Sequence, residues 1–199
     1  MINKTIIDCS DKNCIFLIRD IISAEILSIL HTKRDIVILC IGTDRSTGDS
    51  LGPLIGEKLS FLTRNNIFLY GTLENPVHAK NLCFKLKEIN NNHSNPYIIA
   101  IDASLGSIDN VGKIIIETKP LSPGAAMKKN LPSVGDLSIT GIVNVSASLE
   151  FMVLQNTRLF TVMRLADIIS KGLYHSIIKT FGGKEIYTQI YNDDLQSLI

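Results

Sequence analysis

This 199-residue chain has little net charge, no paired cysteine motif and no long unbroken apolar run. Twenty Lys and Arg against nineteen Asp and Glu leave a net charge of +1, which excludes the electrostatic footprint that holds nucleic acid or an anionic membrane surface. Lys33-Arg34 and Lys128-Lys129 are pairs, not patches. The four cysteines, Cys9, Cys14, Cys40 and Cys83, show neither CxxC nor zinc-ribbon spacing, so reduced thiols with a structural role are expected, with Cys40 buried at the end of an apolar run. The most apolar early stretch, Cys14 to Leu30, is interrupted by Arg19, Asp20 and Glu25. It is too short for a membrane span and carries no signal-peptide cleavage pattern, which predicts a cytoplasmic location and no membrane partner. GxGxxG and the GKS or GKT of a phosphate loop are also missing, so nucleotide binding has no support.

What is present describes a folded protein. Hydrophobic residues make up 45% of the chain, charged residues 20%, and the mean hydropathy is +0.23, values outside the disordered range. A chain of this size buries about 70% of its unfolded surface, enough for one core and not for two, so a single domain over residues 1–199 is expected. After a short strand at Thr5–Asp8, Ile15, Ile18, Ile22, Ile26 and Ile29 recur at steps of three and four, an amphipathic helix in an N-terminal extension over residues 1–35. Ile36–Cys40 is a continuous β-branched run, expected of a strand covered on both faces. A glycine-containing loop, Gly42 to Gly52, leads to a helix starting at Pro53. Next come a strand at Asn66–Tyr70, a helix at Val77–Ile89 with Cys83 on its inner face, and a strand at Tyr97–Ile101. Strands at Lys113–Glu117 and Ser138–Asn144 flank an aperiodic loop, Thr118 to Asp136, and a long amphipathic helix runs over Leu149–Phe181. Strand and helix in alternation predict a three-layer, doubly wound α/β domain with a mostly parallel sheet.

Ligands of open α/β sheets bind beyond the carboxyl ends of the strands, where strand order reverses. If the first three core strands lie in the order 2-1-3, the loops after Cys40 and Ile101 flank that crevice, and each brings an aspartate: Asp49 and Asp102. Two neighbouring carboxylates cannot both ionise freely, so such a pair divides acid and base roles around a water. The dipole of the helix beside Asp49 favours its charged form and leaves Asp102 as the proton holder. The plainer alternative makes Asp49 a helix cap and Asp102 a strand-end residue bonding a turn amide. Gly48-Asp-Ser-Leu-Gly52 also fits GxSxG and contains a GDSL string, which nominates Ser50 as a nucleophile. No DxxH pair accompanies it, and the only histidine after Asp102 is His175 in the last helix. His78, at the start of the helix after the second core strand, could face the crevice and complete a metal triad with Asp49 and Asp102, while His31 and His93 read as loop residues.

Five stretches extend the pattern: Cys40-Ile-Gly-Thr-Asp-Arg-Ser-Thr-Gly-Asp-Ser-Leu-Gly-Pro53, Gly71-Thr-Leu-Glu-Asn-Pro-Val-His-Ala-Lys-Asn81, Ala100-Ile-Asp-Ala103, Leu121-Ser-Pro-Gly-Ala-Ala126 and Gly135-Asp-Leu-Ser-Ile-Thr-Gly-Ile-Val-Asn144. With Leu154-Gln-Asn-Thr-Arg158, they closely resemble the YyaC family of sporulation proteins over a core of residues 36–172. That family resembles, more distantly, the spore germination protease and the hydrogenase maturation endopeptidases, which share a phosphorylase/hydrolase-like α/β fold. By that resemblance the germination protease's Asp-Ala-Leu-Gly-Pro and Ile-Asp-Ala motifs fall on Asp49–Pro53 and Ile101–Ala103, making Asp49 and Asp102 the catalytic pair.

Substrate contacts are expected from Gly48, Ser50, Glu74, His78, Ser122 and Gly124 in the quoted stretches, with the Thr118 to Asp136 loop helping to hold an extended chain. The maturation endopeptidases bind a metal through the two carboxylate positions and a later histidine, but Ser122 to Asn144 contains no histidine. No cofactor is therefore expected. A weakly held divalent metal on Asp49 and Asp102 stays open, with His78 or Asp136 as a substitute third ligand. The resemblance implies a peptidase-like hydrolase of a sporulating cell or forespore, acting on a protein or peptide such as a spore protein. The alternatives are a non-catalytic peptide-binding relative and a Ser50 hydrolase.

Overall fold

The structure is a computed structural model that describes residues 4–62, 64–123 and 131–182. Its strands are β1 (Thr5–Asp8), β2 (Ile36–Cys40), β3 (Ile67–Tyr70), β4 (Tyr97–Gly106), β5 (Lys113–Glu117) and β6 (Leu137–Val145). Its helices are α1 (Cys14–Ile29), α2 (Leu51–Leu59), α3 (Leu82–Asn92), α4 (Glu150–Gln155) and α5 (Leu159–Phe181). The strands form one sheet in the order β1-β5-β6-β4-β2-β3. The β3–β2, β2–β4 and β4–β6 ladders are parallel, and β5 and β1 add an antiparallel edge.

Every residue of β2 is buried because both faces of the sheet are covered. On one face α1, α2 and α5 pack through Ile18, Ile22, Ile55, Leu59, Ala166, Ile169 and Leu173 onto Ile36, Ile38, Ile99 and Ile139. On the other, Leu82 and Ile89 of α3 join Val37, Leu39, Ala100 and Val134. This is a mixed α/β fold with helices on both sides of a six-stranded sheet, the class the strand–helix alternation predicts. No helix among the described residues is long and apolar enough to cross a membrane.

Several boundaries differ from the sequence reading, each for a local reason. The helix after β2 begins at Leu51, preceded by a 3-10 turn at Gly48–Ser50, so Pro53 lies inside the first turn, where a missing N–H costs nothing. The helix expected from Val77 begins at Leu82 instead. Val77 is spent in a parallel bridge to Ile41, and Asn81 holds the chain before α3 by accepting from the His78 N–H and donating to the Pro76 carbonyl. Cys83 is exposed, because the buried stripe of α3 runs through Leu82, Leu86 and Ile89. Cys40 is fully buried, and its thiol is pushed well above the ordinary range by desolvation alone.

The expected single helix over Leu149–Phe181 is two helices, broken at Asn156–Arg158. Thr157 Oγ1 donates to the Val153 carbonyl and accepts from Asn144 Nδ2, at 2.8 and 3.2 Å, which ties the break to the end of β6. His93 lies in the loop after α3, as expected, but is buried there. It is 5% exposed, with Nδ1 2.9 Å from Asp35 and Nε2 3.1 Å from the Tyr70 hydroxyl.

Candidate active site

The strand order β4-β2-β3 puts the reversal of the sheet between β2 and β4. β2 ends at Cys40, opposite Ile101, and the Ile41 N–H makes a last 2.7 Å bond to the Ile101 carbonyl. β4 does not end there. It continues to Gly106 against β6 alone, with Asp102 paired to Thr140. Asp102 is therefore the first β4 residue past the end of β2, inside a strand and not in the turn expected for it. It is 7% exposed, and its Oδ1 accepts only the adjacent Ala103 N–H, at 2.8 Å.

Asp49 arrives from the other side of the switch point. The chain leaving β2 turns at Gly42 (φ 142°), whose N–H bonds the Val77 carbonyl, and the Thr43 N–H then bonds the Asp49 carbonyl at 2.9 Å. A Cβ on Gly42 would overlap that same carbonyl oxygen, so only glycine lets the loop fold back far enough to bring Asp49 over the end of the sheet. Neither the 3-10 turn nor α2 has a side-chain cap, and Asp49 is therefore not a capping residue.

The two carboxyls share their surroundings. Asp49, Asp102 and Leu154 line a cavity of about 360 Å³ together with Ile41, Arg45, His78, Lys80 and Phe151. The same three residues line a second cavity of about 510 Å³, which continues over Ser104, Asn110, Glu117, Ser122, Thr140 and Glu150. The pair thus stands where the two clefts meet.

Burial raises the Asp49 carboxyl to about 6, against a smaller opposing pull from His78. No hydrogen bond offsets the loss of water, so burial outweighs the helix dipole expected to keep this group charged. Asp102 is raised well above the ordinary carboxylate range, by burial first and by the charge of Asp49 second, with the Ala103 N–H opposing. The influence is one-sided for a physical reason: Asp102 is still neutral when Asp49 ionises, so it has no charge to exert. Of the two, Asp49 is the readier to ionise, and its charge favours the protonated form of Asp102.

Other residues expected at the site divide. His78 lines the first cleft and Ser122 the second. Gly48 and Ser50 are buried and line neither cleft. The α-hydrogen face of Gly48 abuts Leu154 and Thr157, and Ser50 Oγ donates to the Thr47 carbonyl at 2.7 Å. Ser50 is 6% exposed and His175 is exposed on α5, so a serine nucleophile has neither access nor a base there. Glu74 is exposed and outside both clefts, while Gly124, like Lys128 and Lys129, lies outside the described residues. The Thr118 to Asp136 loop is pinched by paired backbone bonds between Leu121 and Val134, which set Pro123 and Ser122 at the rims of the first and second clefts.

The donor set does not make a three-ligand metal centre. Among the described residues no group of three His, Cys, Asp or Glu side chains is placed to hold an ion, so His78 does not close a triad with the pair. Asp136 is committed to Arg34, at 3.2 Å, and to the Ile98 N–H, beside the start of β6 and away from Asp102.

Sequence reasoning missed Arg45, Lys80, Phe151 and Leu154 as lining residues. The first two lie inside the quoted motifs, which was the available signal. Leu154 opens the quoted 154–158 stretch, but its place at the pair depends on the break between α4 and α5.

Residues 6–172 match the family described as "Protein of unknown function (DUF1256)". The protein described as "Uncharacterized protein YyaC" from Bacillus subtilis (strain 168) is 54% identical over 140 residues, 70% of this chain and 68% of that protein. Among solved structures, the [NiFe] hydrogenase maturation protease HycI from Thermococcus kodakarensis KOD1 superposes with a TM-score of 0.40 at 19% identity, covering 71% of this chain and 93% of its own. A second, described as a Hydrogenase 3 Maturation protease, gives a TM-score of 0.38 at 13% identity, covering 69% and 88%.

Proposed function

This chain belongs to the DUF1256 family, with YyaC as a relative, and we propose that it is a peptidase-like hydrolase whose Asp49 and Asp102 activate water against an amide carbonyl. The observation that carries this reading is the unequal pair: Asp49 and Asp102 stand where two clefts meet, both pushed by burial toward the protonated form, with Asp102 raised further by the charge of Asp49. The match of both aspartates to the germination-protease motifs supports it independently.

Asp49 carboxylate takes a proton from water as the water oxygen attacks the carbonyl carbon. Asp102 donates its proton to the carbonyl oxygen, so no full negative charge develops in a site with little water to solvate it. Collapse of the tetrahedral gem-diol breaks the C–N bond. The proton held by Asp49 passes to the departing amine, and Asp102 recovers its own from the hydroxyl that becomes the carbonyl. No step in this scheme requires a cofactor, and the substrate is a protein or peptide. A sporulation setting with a spore protein as substrate, which the resemblance implies, is part of the proposal.

Turnover tests it directly. Purified full-length protein is incubated with casein and with a mixed peptide library, with and without chelator, alongside Asp102→Asn. Cleavage by wild type that resists chelator and is lost by at least about a hundredfold in the variant is the expected result, given the usual contribution of a general acid. Peptide binding without cleavage would replace the hydrolase with a binding protein, and cleavage surviving in Asp102→Asn would remove the pair from the chemistry.

A further inference from the structure

The two clefts that meet at the pair differ in charge. The first presents Arg45 and Lys80 beside His78, above an apolar wall of Ile41, Phe151 and Leu154. Neither Arg45 nor Lys80 has a carboxylate partner among the described residues. Asp44, next to Arg45, is exposed and does not line the cleft. The second cleft has no Lys or Arg among its described lining residues and contributes Glu117 and Glu150. Glu117 is held by Lys119 at 3.1 Å and Lys4 at 3.7 Å, whereas Glu150 is unpaired among the described residues.

Two cations unpaired among the described residues on one side and Glu150 in a hydroxyl-lined channel on the other favour one direction for whatever crosses between the clefts. A polypeptide with carboxylate side chains on one flank neutralises Arg45 and Lys80 and keeps that charge away from Glu150. Reversed, it brings those carboxylates against Glu150, and with lysines on that flank it meets like charge at Arg45 and Lys80. Phe151, 53% exposed, offers its ring to the aliphatic part of the same segment.

We infer that the segment recognised here is acidic, with its carboxylate side chains in the cleft lined by Arg45, His78 and Lys80 and its uncharged or basic flank over Glu150. This names the substrate class of the proposed hydrolase and rests on that reading for the position of the scissile bond. Binding itself is independent of turnover.

The probes are fluorescein-labelled decapeptides on one Ala/Leu scaffold, with paired Glu or paired Lys at positions 3 and 4 or at positions 7 and 8. Fluorescence anisotropy with full-length Asp102→Asn measures binding without cleavage, and wild type measures cleavage of the same peptides. One Glu arrangement should bind about five- to tenfold more tightly than its Lys counterpart at low salt, the scale of two solvent-touching ion pairs, with the preference shrinking as salt rises. The double variant Arg45→Glu/Lys80→Glu should invert the preference. Neither side chain has an ion-pair partner among the described residues, so circular dichroism should show an unchanged fold.

Equal binding of all four peptides, a Lys preference, no binding, or a Glu preference that survives the double charge reversal would each overturn the inference. Tight, charge-selective binding with no cleavage by wild type would leave it standing and remove the hydrolase. Cleavage indifferent to charge would do the opposite.

Discussion

Replacing Asp49 by Asn should make the folded protein more stable at neutral pH, although it removes a residue of the proposed catalytic pair. Burial lifts the Asp49 carboxyl from 3.8 to about 6, so the folded state holds its proton more tightly than the unfolded chain does. Between about pH 4 and pH 6 folding therefore takes up a proton, and this group makes stability fall as pH rises through that window. Below about pH 4 both states are protonated and the penalty vanishes. Above about pH 6 it is complete, with an upper limit of about 3 kcal/mol at about 1.4 kcal/mol per pH unit. Asp49 is only partly buried and borders an open cleft, so screening by water reduces the expected gain in Asp49→Asn to about 1–2 kcal/mol.

Asn keeps the shape of the side chain, and no capping bond is lost with the charge. Removing the Asp49 charge also eases ionisation of Asp102, whose carboxyl that charge helps to raise. Asp102→Asn, in contrast, should leave Asp49 near its present value, because a neutral partner was never pushing on it. Urea denaturation of wild type and Asp49→Asn from pH 3.5 to pH 8 reads this directly. The two stabilities should converge near pH 4 and separate by pH 7 with the variant the more stable. A variant less stable at pH 7, or a difference that does not change with pH, would refute the electrostatic account of the pair.

Other perturbations separate the parts of the site. His78→Ala removes the one charge that lowers Asp49, so the acid limb of any pH–rate profile, expected near pH 6 in wild type, should move to higher pH; an unmoved limb would detach His78 from Asp49. Ser50→Ala loses a buried hydroxyl bond to Thr47 and should cost about 0.5–1.5 kcal/mol in thermal unfolding while activity persists, whereas a dead variant or fluorophosphonate labelling would restore the serine as nucleophile. Gly42→Ala places a Cβ against the Asp49 carbonyl at a strained backbone angle and should cost about 3 kcal/mol with loss of activity; an unchanged melting temperature would mean that the loop adapts without Asp49 needing this turn.

Much of the fold was legible from local pattern. The continuous apolar run at Ile36–Cys40 and the three-and-four spacing of Ile18, Ile22 and Ile26 report burial on two faces and on one stripe, properties that belong to single elements. With the short alternating connections, they confine β2, β3 and β4 to a parallel arrangement, and the aspartates after β2 and at Ile101-Asp102 then fall on the crevice by topology alone. Chain order and amphipathic period carry no information about the end of an element that a distant segment terminates. β4 runs past Ile101 because β6 supplies partners as far as Gly106. α3 starts late because Val77 bonds to Ile41. α5 separates from α4 because Asn144, thirteen residues before Thr157, reaches the break.

The properties that make Asp49 and Asp102 a chemical pair belong to the same second category. Their raised affinity for a proton and the one-sided influence between them depend on which apolar walls exclude water and which charges stand nearby. Desolvation and Coulomb energy are functions of distance in space, and Leu154 and Phe151 come within range of the pair only after α4 has folded back from the end of β6.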